Sequence, residues 1–274
     1  MTPSDDPLES RDFEHALPLP PELRERLAGY DIDVAPSGES AASVFKLSKT
    51  GCPDLYLKHG RGDVRDDIVG EAVRLRWMQP RLPVPDIVDL TVNDNAAWLV
   101  TKALEGQAAF QVLEEGACRA EDVVDALARF LRQVHATPTQ SCPFDSRHPL
   151  RLAQARRNID AGLVDTDDFD AGRQGWSAEQ VWEALQICTL PDAAPVVTHG
   201  DFSLDNVRLR NGVVVGCIDV GKAGLADPYQ DIAIMWNSLG EFGPPLQDRF
   251  LKTYGITVLD LDRLDFHLLL DELF

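Results

Sequence analysis

Positive charge is scarce in this sequence. Its 274 residues hold 26 Lys and Arg against 45 Asp and Glu, a formal net charge of −19. A surface of that sign repels phosphate backbones and anionic bilayers, which argues against nucleic-acid or membrane-surface binding and favours a cationic partner. Long hydrophobic runs are also missing. No stretch approaches the about 20 apolar residues that cross a bilayer, and residues 1–24 carry neither the basic nor the apolar segment of a signal peptide. The five cysteines (Cys52, Cys118, Cys142, Cys188, Cys217) are odd in number, widely spaced and free of any CxxC pair. This argues against a disulfide framework or a thiolate zinc site and fits a reducing, cytoplasmic setting. There is no internal repeat and no low-complexity tract.

Apolar residues are plentiful. At 44% hydrophobic, the chain can offset its ordering entropy and fold as one large domain or two modest ones. Residues 1–20 or so, rich in Pro, Asp and Glu, read as a loose lead-in. Residues 41–48 and 54–58 predict two strands around a Lys49-Thr50-Gly51 turn. Residues 65–79 place Ile68, Ala72, Leu75 and Met78 at helical spacing, and apolar segments follow at 87–90 and 96–100. Together these make a small α+β block. Beyond residue 105 the pattern is mainly helical. Val124, Leu127, Leu131 and Val134 form one stripe over 121–136, and an acidic loop follows at 160–170. A short apolar strand at 195–198 runs into His199-Gly200-Asp201, two strands flank the hairpin signal Asn211-Gly212, and helices are expected at 229–239 and 245–254. The shift in pattern predicts two lobes, 1–101 and 102–274.

The chemistry concentrates in residues 198–231. Asp201 lies on a loop just past a strand end, Asn206 follows five residues later, and Asp219 lies just past the second hairpin strand, where the hairpin can return it beside Asn206. A carboxamide and a carboxylate so placed can share a hard cation, with Asp201 left to accept a hydroxyl proton. These are parts that phosphoryl transfer requires. His199 is expected to hold the loop by hydrogen bonds, and His135 to pack or cap its helix. His15, His59, His148 and His267 form no spaced cluster. The five tryptophans read as core or lobe-contact residues.

In these residues the sequence resembles the aminoglycoside 3′-phosphotransferases, the kanamycin and neomycin kinases related to eukaryotic protein kinases. The resemblance runs from about residue 30 to the last residue. It rests on Val196-Val197-Thr198-His199-Gly200-Asp201, Asn206, Ile218-Asp219-Val220-Gly221, Gly224-Leu225-Ala226-Asp227, Tyr229-Gln230-Asp231-Ile232-Ala233 and Asp271-Glu272-Leu273-Phe274, with support from Cys142-Pro143-Phe144 and Ala161-Gly162-Leu163-Val164-Asp165. It implies a bilobal, protein-kinase-like α+β fold with a small antiparallel-sheet lobe and a larger, mainly helical one. It implies ATP and Mg²⁺ as cofactors, and phosphorylation of the drug's 3′-hydroxyl as the resistance mechanism.

Roles follow by position. Asp201 matches the catalytic aspartate, Asn206 and Asp219 the Mg²⁺ ligands, Lys58 the lysine on the ATP phosphates and Glu71 its ion-pair partner. Ser37, Gly38 and Ser40 fall in the nucleotide loop, while Thr101 and Ala103 would meet adenine through backbone groups. Asp168, Asp170, Asp231, Glu241, Asp271, Glu272 and Phe274 would hold the drug's ammonium groups. A monomer or weak homodimer is expected. Asn237-Ser238 replaces the Arg-Asp of close relatives, Ala171 stands where a relative carries Glu, and Lys222 stands where Arg is usual. The rival readings are a kinase of another small alcohol or amino sugar on the same fold, and a nucleotide-binding protein without turnover.

Overall fold

The structure, a computed structural model, describes residues 18–35, 42–188 and 193–274. The elements are α1 (Pro21–Arg26), β1 (Asp31–Val34), β2 (Ser43–Ser48), β3 (Leu55–Arg61), α2 (Asp63–Met78), β4 (Ile87–Val92), β5 (Ala96–Lys102), β6 (Gln107–Ala108), α3 (Ala109–Glu114), α4 (Ala120–His135), α5 (His148–Ala161), α6 (Ala178–Ile187), β7 (Val196–Thr198), β8 (Val207–Arg210), β9 (Val213–Cys217), β10 (Gly224–Ala226), α7 (Tyr229–Leu239), α8 (Pro244–Tyr254) and α9 (Leu261–Asp271). This is the expected α+β kinase-like architecture. None of the described helices is long and apolar enough to cross a membrane.

The chain divides into two compact units. One ends at Arg76 and adds Pro85–Ala103; the other joins Trp77–Val84 to Leu104–Phe274. The strip at 77–84 goes with the larger unit because its groups are bonded there. Trp77 Nε1–H donates to Ser141 O at 2.8 Å, and Cys217 N–H donates to Pro83 O at 3.1 Å.

The smaller unit is built on an antiparallel sheet in the order β1-β2-β3-β5-β4. Period-two alternation buries Phe45 and Leu47 on β2, and Leu55 and Leu57 on β3. These pack with Leu23, Leu27, Trp98 and Val100, so α1, which follows the lead-in, adds to this core. Lys58, one residue out of phase with Leu57, projects from the other face of the sheet. There α2 lies close enough that a Cβ on Gly60 would collide with Val64 at 2.3 Å.

In the larger unit, α4 buries Val123, Val124, Leu127, Leu131 and Val134. Asp125 on its outer side takes a two-pronged bond from Arg249 of α8, at 2.8 and 2.7 Å. The β8–β9 hairpin turns at Asn211 (φ 52°) and Gly212 (φ 75°), both in the left-handed region that the Asn-Gly pair favours. Strand β10, unforeseen in the sequence, pairs antiparallel with β7. Helices α5, α6 and α9, also unforeseen as separate elements, share a core of Ala155, Phe169, Val181, Leu185, Phe266, Leu269, Leu270 and Leu273. The acidic segment does form an exposed loop, starting from Gly162 at φ 66°, and Phe169 pins it to that core.

Phe250 of α8 is fully buried. Phe250→Ala should therefore lower unfolding stability by about 3–5 kcal/mol, read as a shift in the urea midpoint with little change in slope.

Candidate active site

The loop after β7 is fixed by one carboxylate. Asp231 lies in the first turn of α7 and is fully buried. Its Oδ2 accepts the His199 N–H at 2.7 Å, and its Oδ1 accepts the Gly200 N–H at 2.7 Å. Oδ2 is also 3.0 Å from His135 Nε2, while His135 Nδ1 lies 2.7 Å from the Tyr254 hydroxyl. The positive end of α7 adds to the stabilisation of this charge. Burial, and then the Asp231 charge, pushes the Tyr254 phenol up to about 12, so it remains a hydrogen-bond donor throughout the physiological range.

His199 sets the position of the next residue. Its Nε2 is 2.8 Å from the Ile218 carbonyl, which can only accept, so the proton sits on Nε2 and Nδ1 accepts the Asp201 N–H at 3.2 Å. Both ring nitrogens are thus engaged in holding the loop, as expected from the sequence. Gly200 is required here: its φ is +91°, and a Cβ would lie 2.3 Å from the Lys222 carbonyl oxygen. Phe202 and Leu204, both fully buried, anchor the loop on either side of Ser203.

Asp201 is half-buried at the head of this loop. Asn206 donates its Nδ2 to the Asp201 carbonyl at 2.9 Å, and the Asn206 carbonyl accepts the Ile218 N–H at 2.9 Å. The backbone of Asn206 is thereby tied to the residue before Asp219, as the hairpin predicts. Asp219 itself adopts φ 59° and ψ 50°, a left-handed conformation that is uncommon outside glycine, asparagine and aspartate and that clusters at functional sites. The Asn206 side-chain oxygen takes no part in that bond. The two residues thus offer the oxygen donors that Mg²⁺ takes, and they fit that ion.

In the smaller unit, Lys58 Nζ lies 2.9 and 3.1 Å from the two oxygens of Glu71, with both side chains largely buried. The adenine expectation changes at Ala103. Ala103 N–H already donates to Asp54 O at 2.9 Å, so only the Ala103 carbonyl is left to bind. Thr101 lies within the sheet, paired with Tyr56 and Ile87 on its two sides. Ser37, Gly38 and Ser40 lie outside the described residues.

The carboxylates assigned to the drug separate into groups. Asp231 is corrected: buried and occupied by three donors, it shapes the catalytic loop and is not presented to a ligand. Asp168 and Glu241 are exposed, and Asp271 is partly so. Asp170 and Glu272 come together. The Asp170 N–H lies 3.2 and 3.3 Å from the Glu272 carboxylate oxygens, and Arg173 pairs with Glu272 at 3.3 Å, Asp170 at 3.4 Å and Asp265 at 2.8 Å. Asn237, one of the departures from close relatives, donates to Asp170 at 3.0 Å. Glu272 is therefore not an open carboxylate, as the sequence implied. Its side chain is 7% exposed, and burial, with the Asp170 charge second, raises its carboxyl to about 7 against the pull of Arg173. Phe274 lies under the buried Arg151 guanidinium, 3.8 Å from the ring centre, with Lys222 Nζ at 5.5 Å. Arg151 also feels the charges of Asp271, Asp201 and Asp231. Neither Arg151, Arg173 nor Tyr254 belongs to a motif, and nothing local in the sequence marks them.

An aspartate on a rigid loop, an asparagine bonded to it and a lysine–glutamate ion pair are the parts of a kinase-like phosphotransferase. Comparison with known proteins agrees. The pattern of the phosphotransferase enzyme family matches residues 31–267. Aminoglycoside 3′-phosphotransferases from Escherichia coli are similar at 49% identity over 86% of this chain and 88% of theirs, and at 48% over 94% and 96%. One from Streptomyces fradiae is 38% identical over 92% and 98%. Among solved structures, aminoglycoside-3′-phosphotransferase of type VIII superposes with a TM-score of 0.82 at 34% identity, covering 92% of this chain and 97% of that one. The chain belongs to the aminoglycoside 3′-phosphotransferase family.

Two tests follow. Asp231→Ala leaves three buried N–H donors without an acceptor, at about 1–3 kcal/mol each, so a large loss of stability and of turnover should appear together in denaturation and in phosphate-transfer assays. Because the folded-state carboxyl of Glu272 lies above its unfolded value, it binds a proton more readily when folded. Its contribution is thus favourable at acid pH and is lost as pH rises from about 4.5 to 7. Glu272→Gln should flatten that decline in a stability–pH profile.

Proposed function

We propose that the protein is an ATP-dependent aminoglycoside 3′-phosphotransferase acting in the cytoplasm, as a monomer or weak homodimer, and that it confers resistance. The observation carrying this reading is the loop at Asp201. Its backbone is fixed through Asp231 and His199, and it is bonded directly to Asn206. The nucleotide in this reading is supported by the solved phosphotransferase APH(3″)-Id from Streptomyces rimosus, described in complex with ADP and streptomycin, which superposes with a TM-score of 0.76 at 26% identity.

In this proposal Asp201 accepts a hydrogen bond from the 3′-hydroxyl and turns its oxygen toward the γ-phosphorus. Lys58, oriented by Glu71, binds the α- and β-phosphates. Asn206 and Asp219 would hold Mg²⁺, which neutralises charge on the phosphates when bound. The residues act by positioning and electrostatic stabilisation more than by covalent chemistry. Asp168, Asp170, Glu241, Asp271 and Phe274 form the surface for the polyamine sugar, and the largely buried Glu272 supports it through the Asp170 backbone and Arg173. An incoming ammonium would favour the ionised form of Glu272. Asn237, bonded to Asp170, takes the place of a charged pair in close relatives and narrows the count of carboxylates facing the drug. The transferred phosphate cancels positive charge that the drug needs to bind RNA.

The decisive assay is phosphate transfer over a panel of aminoglycosides. Kanamycin and neomycin, which carry the 3′-hydroxyl, should be phosphorylated. Tobramycin and gentamicin, which lack it, should bind and inhibit without reacting. Asp201→Ala should reduce kcat by about a hundredfold to ten-thousandfold while nucleotide still binds. Removal of the last four residues should raise KM for the drug; an unchanged KM would point to a different alcohol substrate.

A further inference from the structure

The fold creates a histidine cluster that sequence spacing does not show. His148 opens α5, His267 lies in α9, and Asp227 sits at the junction of β10 and α7. Each offers one ligand atom, and the three atoms lie within 4.8 Å of one another. The two imidazoles face each other through Nε2, 3.3 Å apart. We propose that His148, His267 and Asp227 form a binding site for a divalent transition ion of the zinc class, separate in its residues from the Asn206 and Asp219 pair.

Geometry carries the proposal. Two imidazole nitrogens bound at about 2.05 Å to one tetrahedral ion lie about 3.3 Å apart, which is the separation observed. Two nitrogens and one carboxylate oxygen suit zinc and its neighbours, whereas the all-oxygen set at Asn206 and Asp219 suits magnesium. A fourth position is left for water. The carboxylate is already oriented by other groups, as ligands in metal sites are. Asp227 Oδ1 accepts the Tyr229 N–H at 2.9 Å, and Oδ2 is paired with Arg263. Arg263 shares part of its charge with Asp260 at 3.1 Å, and the charge that it and the buried Arg151 still place on His267 is what a cation at the cluster has to overcome through its ligand bonds. Burial lowers the pKa of both imidazoles, which keeps their lone pairs available. His267 and Asp227 are buried while His148 is half-exposed, and that supplies a route of entry. An ion here joins three segments far apart in sequence. One of them is α9, which ends at Asp271 and leads into Glu272-Leu273-Phe274, so its occupancy would brace the tail.

The test uses the full-length, tag-free chain after chelator treatment, titrated with cobalt(II) and then with zinc. One equivalent of cobalt should bind with the intense visible bands of four-coordinate nitrogen–oxygen ligation, and zinc should displace it. Zinc should also raise the melting temperature. His148→Ala, and His148→Gln as a second variant that keeps a polar group at the helix start, should each weaken binding by at least about tenfold and abolish the zinc-dependent rise in Tm. Absence of binding, binding unchanged in both variants, or a thiolate charge-transfer band assigning the ion to cysteines would each overturn the proposal.

Discussion

The catalytic loop depends on a carboxylate with no access to solvent. Asp231 takes the backbone N–H groups of His199 and Gly200 on its two oxygens and shares one of them with His135. A buried charge is costly unless it is fully hydrogen-bonded, and here every donor comes from an element that must be correctly placed for the loop to form. Strand β7 supplies the loop, α4 supplies His135 and α8 supplies Tyr254. Satisfying one charge therefore fixes the mutual position of three elements, and Asp201 inherits that rigidity through His199. The close approach of Gly200 to the Lys222 carbonyl leaves no room for a different path.

The same physics works less strictly at the tail. Asp170, Glu272 and Asp265 are brought near one another by α9 and the acidic loop, and Arg173 bridges all three. These carboxylates outnumber the guanidinium they share, but it is burial first, and the Asp170 charge only second, that raises the Glu272 carboxyl to about 7. Arg151, stacked on Phe274, carries positive charge into the field of Asp201 and Asp271, so the tail and the catalytic loop share one buried cation.

Most elements with strong local periodicity were legible in the sequence. The helices over 63–78, 120–135, 229–239 and 244–254 each carry an apolar stripe, and the Asn211-Gly212 turn needs only its own two residues. Helices α5, α6 and α9 were not, since their stripes are short or interrupted and gain their burial from each other. Strand β10 is three residues long and exists because β7 pairs with it. Among site residues, the order of Asp201, Asn206 and Asp219 was readable because one loop and one hairpin bring them together. The pairing of Lys58 with Glu71 was also within reach, since a strand and the next helix form it. Asp231 was misassigned: a carboxylate in the first turn of a helix looks the same in sequence whether it faces a ligand or a neighbouring loop.

The sequence by itself determined the reaction class, because the chemistry lies on residues close along the chain and their order encodes it. It determined the excess of acid as well, but not which acids face outward. Tertiary structure decided that Asp231 is buried, that Asp170 and Glu272 share Arg173, that Ala103 has already given its N–H to Asp54, and that His148 meets His267 from 119 positions away in the sequence. Those outcomes depend on which surfaces remain uncovered after packing, a property of all the elements together that no single segment carries.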